Sequence, residues 1–409
     1  MKIGILTYFG VPNFGAQLQA LSTVGYLRRT GNEPIVLNWY PDDLRKMYST
    51  RVPSSQVQCH DEFTASMLPL TAKCRNENEL VRVIDESGFD GLIHGSDALF
   101  KYEPEKTRRY FRKRKLRYVV NKPSLIVEGI EGNPFWGHYV ASLKNRIPVS
   151  VYGVSSQNCH YQLLTIFEKR KLRKGLNNFV SISVRDEWTQ QMVRSIIGSR
   201  SQIDISPDPV FSFNQNCGLF VPTKEEVLTR FNLPEHYVLF SFWTSTLKNE
   251  YVQQIAEELK KHRLASVAFP MPERLIDFGL DYTLPLPLSP MDWYALIKYA
   301  DGYVGERMHP IVVALHNAVP FFSFDEYGVA FAGGFRPESS KTFLIVKEAG
   351  LLESYYAYQS RTELPSPQSI VNVLLSFDRK KCEVFAAEMQ CRYEKGMDEI
   401  LNLFKKGRE

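Results

Sequence analysis

The chain has 409 residues, 44% of them hydrophobic and 23% charged, which is enough for two medium globular domains with ordinary cores. A net charge of +5 is too small to imply nucleic acid, and no recognition motif accompanies the basic residues. The apolar N-terminal run is too short for a signal peptide, and no stretch approaches the roughly 20 apolar residues of a membrane span, so a cytoplasmic location is expected.

The six cysteines contain no Cys-x-x-Cys pair, which argues against a zinc knuckle or a dense disulfide framework and for reduced thiols. Cys59-His60 and Cys159-His160 are adjacent pairs, and neighbours on an extended chain point to opposite sides, so no metal site is expected.

Short β-rich runs alternate with helical patterns, which predicts parallel sheets flanked by helices. Residues 2–7 read as a buried strand, 10–15 as a glycine-containing loop, and Leu18, Leu21, Val24 and Leu27 as one helical face. Further strands are predicted at 35–39, 91–93, 149–154 and 179–184. The last of these leads into a helix through Trp188, Met192 and Ile196.

The run KTRRYFRKRKLR at residues 106–117, opening on Lys106 and closing on Arg117, lies within a basic insertion at about 101–130. It reads either as a solvated surface helix or loop, or as a patch for anionic lipid headgroups or a lipid-linked diphosphate.

The pattern loosens at 213–236, then a second alternation starts with strands at 237–242 and 266–269 and a helix at 252–260 between them. Ser289-Pro290 is a good helix start, 302–305 a strand, 310–317 a helix, and 380–404 a final helix. The expected organisation is an N-terminal α/β domain at 1–213 on the acceptor side and a connection at 214–236. A C-terminal α/β domain follows at 237–378 on the donor side, with a helix at 379–409 folding back on the first domain.

Two such domains predict a cleft, with ligands beyond the carboxyl ends of the strands. Gly305-Glu306-Arg307-Met308-His309-Pro310 leaves a strand and enters a helix, so Arg307 and His309 stand where free amides and the helix dipole favour an anion. The planar Arg307 fork suits carboxylate or phosphate, although a capping ion pair and a packed histidine account for the same residues. Arg185 ends the strand 179–184 at the same cleft edge, or pairs with Asp186 or Glu187. Asp97 follows a strand through Gly95-Ser96, placed to take a proton, hold a sugar hydroxyl or cap a helix. Asn13-Phe14-Gly15-Ala16 opens the first helix without the spacing of a nucleotide-binding loop.

Taken in order, Asn13-Phe14-Gly15-Ala16-Gln17-Leu18-Gln19-Ala20, Phe89-Asp90-Gly91-Leu92-Ile93-His94-Gly95-Ser96-Asp97, Ser183-Val184-Arg185-Asp186, Asp208-Pro209 and Arg307-Met308-His309 resemble the polysaccharide pyruvyl transferase family. The resemblance implies two Rossmann-like α/β domains with parallel sheets facing a cleft, as in glycosyltransferases of the B class. It also implies phosphoenolpyruvate as co-substrate with no other cofactor, and a sugar acceptor, lipid-linked or polymeric. By the same resemblance Arg185, Arg307 and His309 hold the donor. His309, Asp97 and Arg307 serve catalysis, and Asn13, Gly15 and Asp97 lie on the acceptor side. A mechanism these residues could support has Asp97 or Glu306 assisting the acceptor hydroxyl. After Gly-Ser-Asp the chain departs from the family, reading Ala98-Leu99-Phe100. The competing readings are a nucleotide-sugar glycosyltransferase of the same fold and a non-catalytic glycan-binding relative.

Overall fold

β1 (Lys2–Leu6) is buried from Ile3 onward, as an inner strand of a parallel sheet requires. It pairs in parallel with β2 (Glu33–Val36) and β3 (Gly91–His94), Ile5 lying opposite both Val36 and Ile93. The computed structural model describes residues 1–103, 106–112, 115–121, 125–157, 159–242, 247–326, 328–331, 334–360 and 363–407. Three helices, Asp42–Arg51, Ser54–Met67 and Glu77–Ser87, fill the crossover from β2 to β3, a stretch to which the sequence reading assigned nothing.

The basic run is neither helix nor loop. Its backbone forms an antiparallel hairpin of β4 (Lys106–Arg112) and β5 (Lys115–Asn121), with Tyr110 opposite Arg117. Thr107, Tyr110, Phe111, Tyr118, Val119 and Val120, scattered among the charges, supply the β preference that overrides a helical reading. The side chains on which the lipid expectation depends lie outside the described residues.

β6 (Val149–Val154), β7 (Ser181–Val184) and β8 (Asp204–Ile205) complete the first sheet in the order β2-β1-β3-β6-β7-β8. The second sheet contains β9 (Tyr237–Ser241), β10 (Ala265–Ala268), β11 (Tyr282–Thr283), β12 (Gly302–Gly305) and β13 (Phe321–Asp325). A hairpin of β14 (Val329–Phe331) and β15 (Gly334–Arg336) follows, and β16 (Tyr355–Ala357) closes the sheet in the order β11-β10-β9-β12-β13-β16. Strand order reverses beside β1 in one sheet and beside β9 in the other, so each half has a switch point where loops diverge and leave a crevice.

The halves share one apolar core. Phe14 from the first stacks on Trp293 from the second at 5.1 Å, and Trp293 stacks on Phe269 at 5.8 Å. The Gln56 side chain donates to Leu288 O at 2.8 Å and accepts from Leu288 N at 2.7 Å, pairing with the second half as a strand would. The C-terminal helix Arg379–Lys406 lies on the first sheet, with Tyr393 edge-on to Tyr26 and Tyr152. Phe404 packs directly on the bare Gly91 backbone, where an added Cβ would lie 2.4 Å from its ring. Among the described residues no helix is long and apolar enough to cross a membrane.

Candidate active site

A cavity of about 130 Å³ opens where the two switch points face each other. Asn13 and Asp97 reach it from the loops after β1 and β3, Ser241 from the end of β9, and Arg307 from the turn after β12. Three helices begin on its wall: Phe14–Arg29, Met308–His316 and Lys341–Glu348. None carries an acidic residue in its first turn, although that is where carboxylates are normally favoured. The Met308–His316 helix also lacks a side-chain cap, because its N-cap is Arg307, so free amides and a guanidinium stand together. Arg307 Nε donates to Met271 Sδ at 3.4 Å, and Nη2 lies 3.9 Å from Glu273 Oε1.

His309 is fixed from behind. Gln19 Nε2 lies 2.6 Å from Asp208 Oδ2 and 2.8 Å from His309 Nε2. Two acceptors use both amide hydrogens, so Nε2 of the imidazole carries no proton and Nδ1 does. Burial, with Lys341 adding to it, pushes this imidazole well below its ordinary range, so it is neutral at working pH. Gly15 explains how the ring fits, since a Cβ there would sit 2.0 Å from His309 Cγ. Asn13 caps the first helix by accepting from Ala16 N at 3.2 Å and at the same time lines the cavity.

Asp97, which also lines the cavity, is buried with φ at 119°, a conformation that costs a non-glycine residue about 1–3 kcal/mol and is held by its surroundings. Its carbonyl accepts from Ser155 N and Leu99 N, both at 2.8 Å, and its Oδ1 accepts from Ala98 N at 2.7 Å. Glu306 is placed elsewhere. It is buried beside β12, Oε1 accepts from Tyr358 OH at 3.1 Å, and it is not among the cavity-lining residues, so it is not placed to assist an acceptor hydroxyl.

The expectation that the two arginines face one cavity is corrected. Arg185 lines a second cavity of about 270 Å³, and Met308 and Lys341 form the wall common to both. The cause is local: Arg185 is drawn to the end of its own sheet, where Nη1 lies 3.0 Å from Asp208 Oδ2 and Nη2 donates to Ser96 Oγ. Its neighbour Asp186 caps the helix Glu187–Ile197 by accepting from Thr189 N at 2.7 Å, so the adjacent acid is not its partner.

Sequence reasoning missed Lys341, Glu273 and the role of Gln19. Gln19 was recoverable, because it stands one helical turn after Gly15 on the same face. Lys341 carried a weaker signal, a lysine opening a helix against the dipole. Among the described residues no group of three or more His, Cys, Asp or Glu side chains is placed to hold a metal ion.

The histidines also set an acid limit on stability. His60, His94, His309 and His316 are all pushed from 6.5 to about 3 by burial. Between those values the unfolded chain binds protons that the folded chain does not, so this stability is present above pH 6.5 and is lost as pH falls. Denaturant unfolding followed from pH 7 to pH 5 is expected to show a decline approaching roughly 1.4 kcal/mol per pH unit for each histidine. A flat profile would mean that the rings are already charged in the folded protein.

Two Rossmann-like domains whose parallel sheets face a cleft define a protein of the glycosyltransferase-B arrangement. Solved structures agree at the level of fold. UDP-GlcNAc 2-epimerase from Methanocaldococcus jannaschii is similar over 95% of this chain and 99% of its own, at 12% identity and a TM-score of 0.51. LpCGTa, solved in complex with UDP, is similar over 98% and 99% respectively, at 9% identity and a TM-score of 0.50. A comparison with curated protein sequences finds no match. The chain belongs to the polysaccharide pyruvyl transferase family, whose signature matches residues 13–326. That is a family of transferases, and its name implies a sugar acceptor.

Proposed function

We propose that the protein transfers the enolpyruvyl group of phosphoenolpyruvate onto two hydroxyls of a sugar as a cyclic ketal. The sugar belongs to a cell-surface or capsular polysaccharide or to its lipid-linked precursor. The observation that carries this reading is the convergence of three acid-free helix N-termini and Arg307 on one interdomain cavity. A small donor bearing both carboxylate and phosphate is the kind of ligand such a site neutralises.

In this scheme the methylene carbon of the donor takes up a proton, and the adjacent carbon becomes an oxocarbenium-like electrophile. A sugar hydroxyl attacks that carbon, phosphate leaves with the electron pair of the broken C–O bond, and a second hydroxyl closes the ring. Of the two hydroxyl protons, one balances the new methyl group and the other departs with phosphate. Asp97, on the wall of the same cavity, would take a proton from the acceptor in this scheme. His309 starts neutral and offers its Nδ1–H. Arrival of a dianion favours the charged ring, so proton transfer through His309 belongs to the loaded enzyme.

The decisive experiment incubates the protein with phosphoenolpyruvate and candidate glycans, following phosphate release and the pyruvate mass increment on the sugar. Release of nucleoside diphosphate from a nucleotide sugar, with phosphoenolpyruvate untouched, would overturn the reading. On the same reading the basic run 106–117 meets anionic lipid beside a lipid-linked acceptor. Equal binding to neutral and anionic vesicles at low salt would remove that contact.

A further inference from the structure

The loop that leaves β6 lines the first cavity with Gln157 and then runs outward into the helix Ile166–Leu176. Because β6 and β7 are parallel, that helix starts at the carboxyl ends of the strands, the side on which the cleft opens. Leu163 comes six residues after Gln157, at most about 22 Å of extended chain away, so the start of the helix stays within that reach of the cavity.

This start is apolar on its outer side. Leu163, Ile166 and Phe167, three large side chains within five residues, are 61%, 58% and 69% exposed. The core does not need them, since the helix already buries its other face through Leu172, Gly175 and Leu176. A single exposed leucine asks for no explanation, but a cluster of this kind marks a contact surface.

The charges beside the cluster are of one sign. Phe167, Arg170, Lys171 and Lys174 recur at helical spacing and form one exposed stripe, and Ile166 stands one turn before Arg170. Arg173 is exposed as well, although its Nε donates to Ile196 O at 2.5 Å. Lys171 meets Glu131 at 3.2 Å, a pair open to water that contributes little. Between Tyr161 and Val180 the sequence holds one acid, Glu168, and it is buried. It completes a capping box with Thr165 and accepts from Tyr102 OH at 2.6 Å. Tyr102 stands at the foot of the basic hairpin β4–β5, so helix and hairpin are joined at their base.

We infer that the helix Ile166–Leu176 is a bilayer contact in its own right: Leu163, Ile166 and Phe167 enter the headgroup layer of an anionic membrane, and Arg170, Lys171 and Lys174 meet its phosphates. Apolar side chains flanked by cations are the means by which interfacial helices hold to lipid, and each cation near the surface adds attraction. A second copy of this chain is the poorer occupant, because a two-fold contact through this face sets the cations of one copy against those of the other. Docked in this way, the rim of the cavity meets the bilayer, where a lipid-linked sugar is presented. That consequence rests on the proposed reaction; the contact itself does not.

The test is co-sedimentation of the full-length protein with vesicles of phosphatidylcholine, alone or mixed with phosphatidylglycerol. Wild-type protein is expected to bind the mixed vesicles and to keep part of that binding at physiological salt, where apolar insertion survives screening. Ile166→Ser with Phe167→Ser is expected to weaken partitioning by about tenfold or more at physiological salt, and Arg170→Gln with Lys174→Gln by a similar factor at low salt. The substituted side chains are exposed, so thermal unfolding of both double variants should match wild type. Phe167→Trp should show a blue-shifted, brighter emission than wild type when mixed vesicles are added. Partitioning unchanged in both double variants, binding lost only when the cations of 106–117 are replaced, or a Trp at 167 that stays in water would overturn the contact. A concentration-dependent dimer abolished by Ile166→Ser with Phe167→Ser would overturn it in favour of a second copy. A protein that binds vesicles through this helix yet never consumes phosphoenolpyruvate would keep the contact and refute the proposed reaction instead.

Discussion

Arg307→Ala is expected to lower kcat/KM for phosphoenolpyruvate by roughly 10²-fold to 10³-fold, the scale on which a preorganised donor to developing or fixed negative charge acts. The Arg307 side chain is 31% exposed on the cavity wall, and its Nη2 lies 3.9 Å from Glu273 Oε1. Its planar fork suits the carboxylate or phosphate of the donor. Folding stability should change little, because the side chain is not part of the apolar core and exposed pairs of this length contribute about 0–1 kcal/mol. Arg307→Lys should recover only part of the loss, since it restores charge without the two-pronged geometry. Steady-state kinetics with a saturating acceptor checks this. A loss of less than threefold for Arg307→Ala would mean that the donor charge is held elsewhere.

Gly15→Ala should be almost as damaging, and for a reason that no inspection of Gly15 alone reveals. Alanine is the better helix former by roughly 0.5–1 kcal/mol, so backbone preference predicts a slightly more stable protein. The new methyl group would occupy the space of the His309 ring, with contacts of 2.0 Å to Cγ and 2.3 Å to Nδ1. The imidazole must swing off Gln19, losing both its tautomer and its place. Turnover is expected to fall about 10²-fold to 10⁴-fold, the usual contribution of a positioned proton-transfer group. Combining Gly15→Ala with His309→Ala should add little to either change alone, because both remove the same group. Additive losses in the double variant would show that Gly15 acts independently of the ring.

Much of the framework was legible because it rests on periodicity. The strands at β1, β3, β6, β9 and β12 are continuous apolar runs, and the helix starts at Asn13, Asp186 and Ser289 follow capping chemistry. Asp97, Arg307 and His309 were read as cleft residues from their positions after strands, Asn13 and Gly15 through the family resemblance, and all five line one cavity. The stretch between Val36 and Gly91 was opaque because two of its three helices start at prolines rather than at a side-chain cap. The basic run misled because charge dominated a segment whose backbone follows its aromatic and β-branched residues.

The separation of Arg185 from Arg307 could not be read from spacing. It depends on Asp208, Ser96 and Met308 meeting in three dimensions from distant parts of the chain. Lys341 stayed hidden for the same reason: one lysine among many becomes distinctive only when it is seen on the wall of both cavities.

The position of Arg379–Lys406 on the first sheet has a consequence for biogenesis. During synthesis the strands around Gly91 and Tyr152 emerge hundreds of residues before Tyr393 and Phe404, the rings that shield them. A nascent chain stalled before the last helix therefore presents a bare greasy ledge, the kind of surface that recruits chaperones or sticks to its neighbours. Quality control of this protein is concentrated in the interval before that helix has been made and has docked.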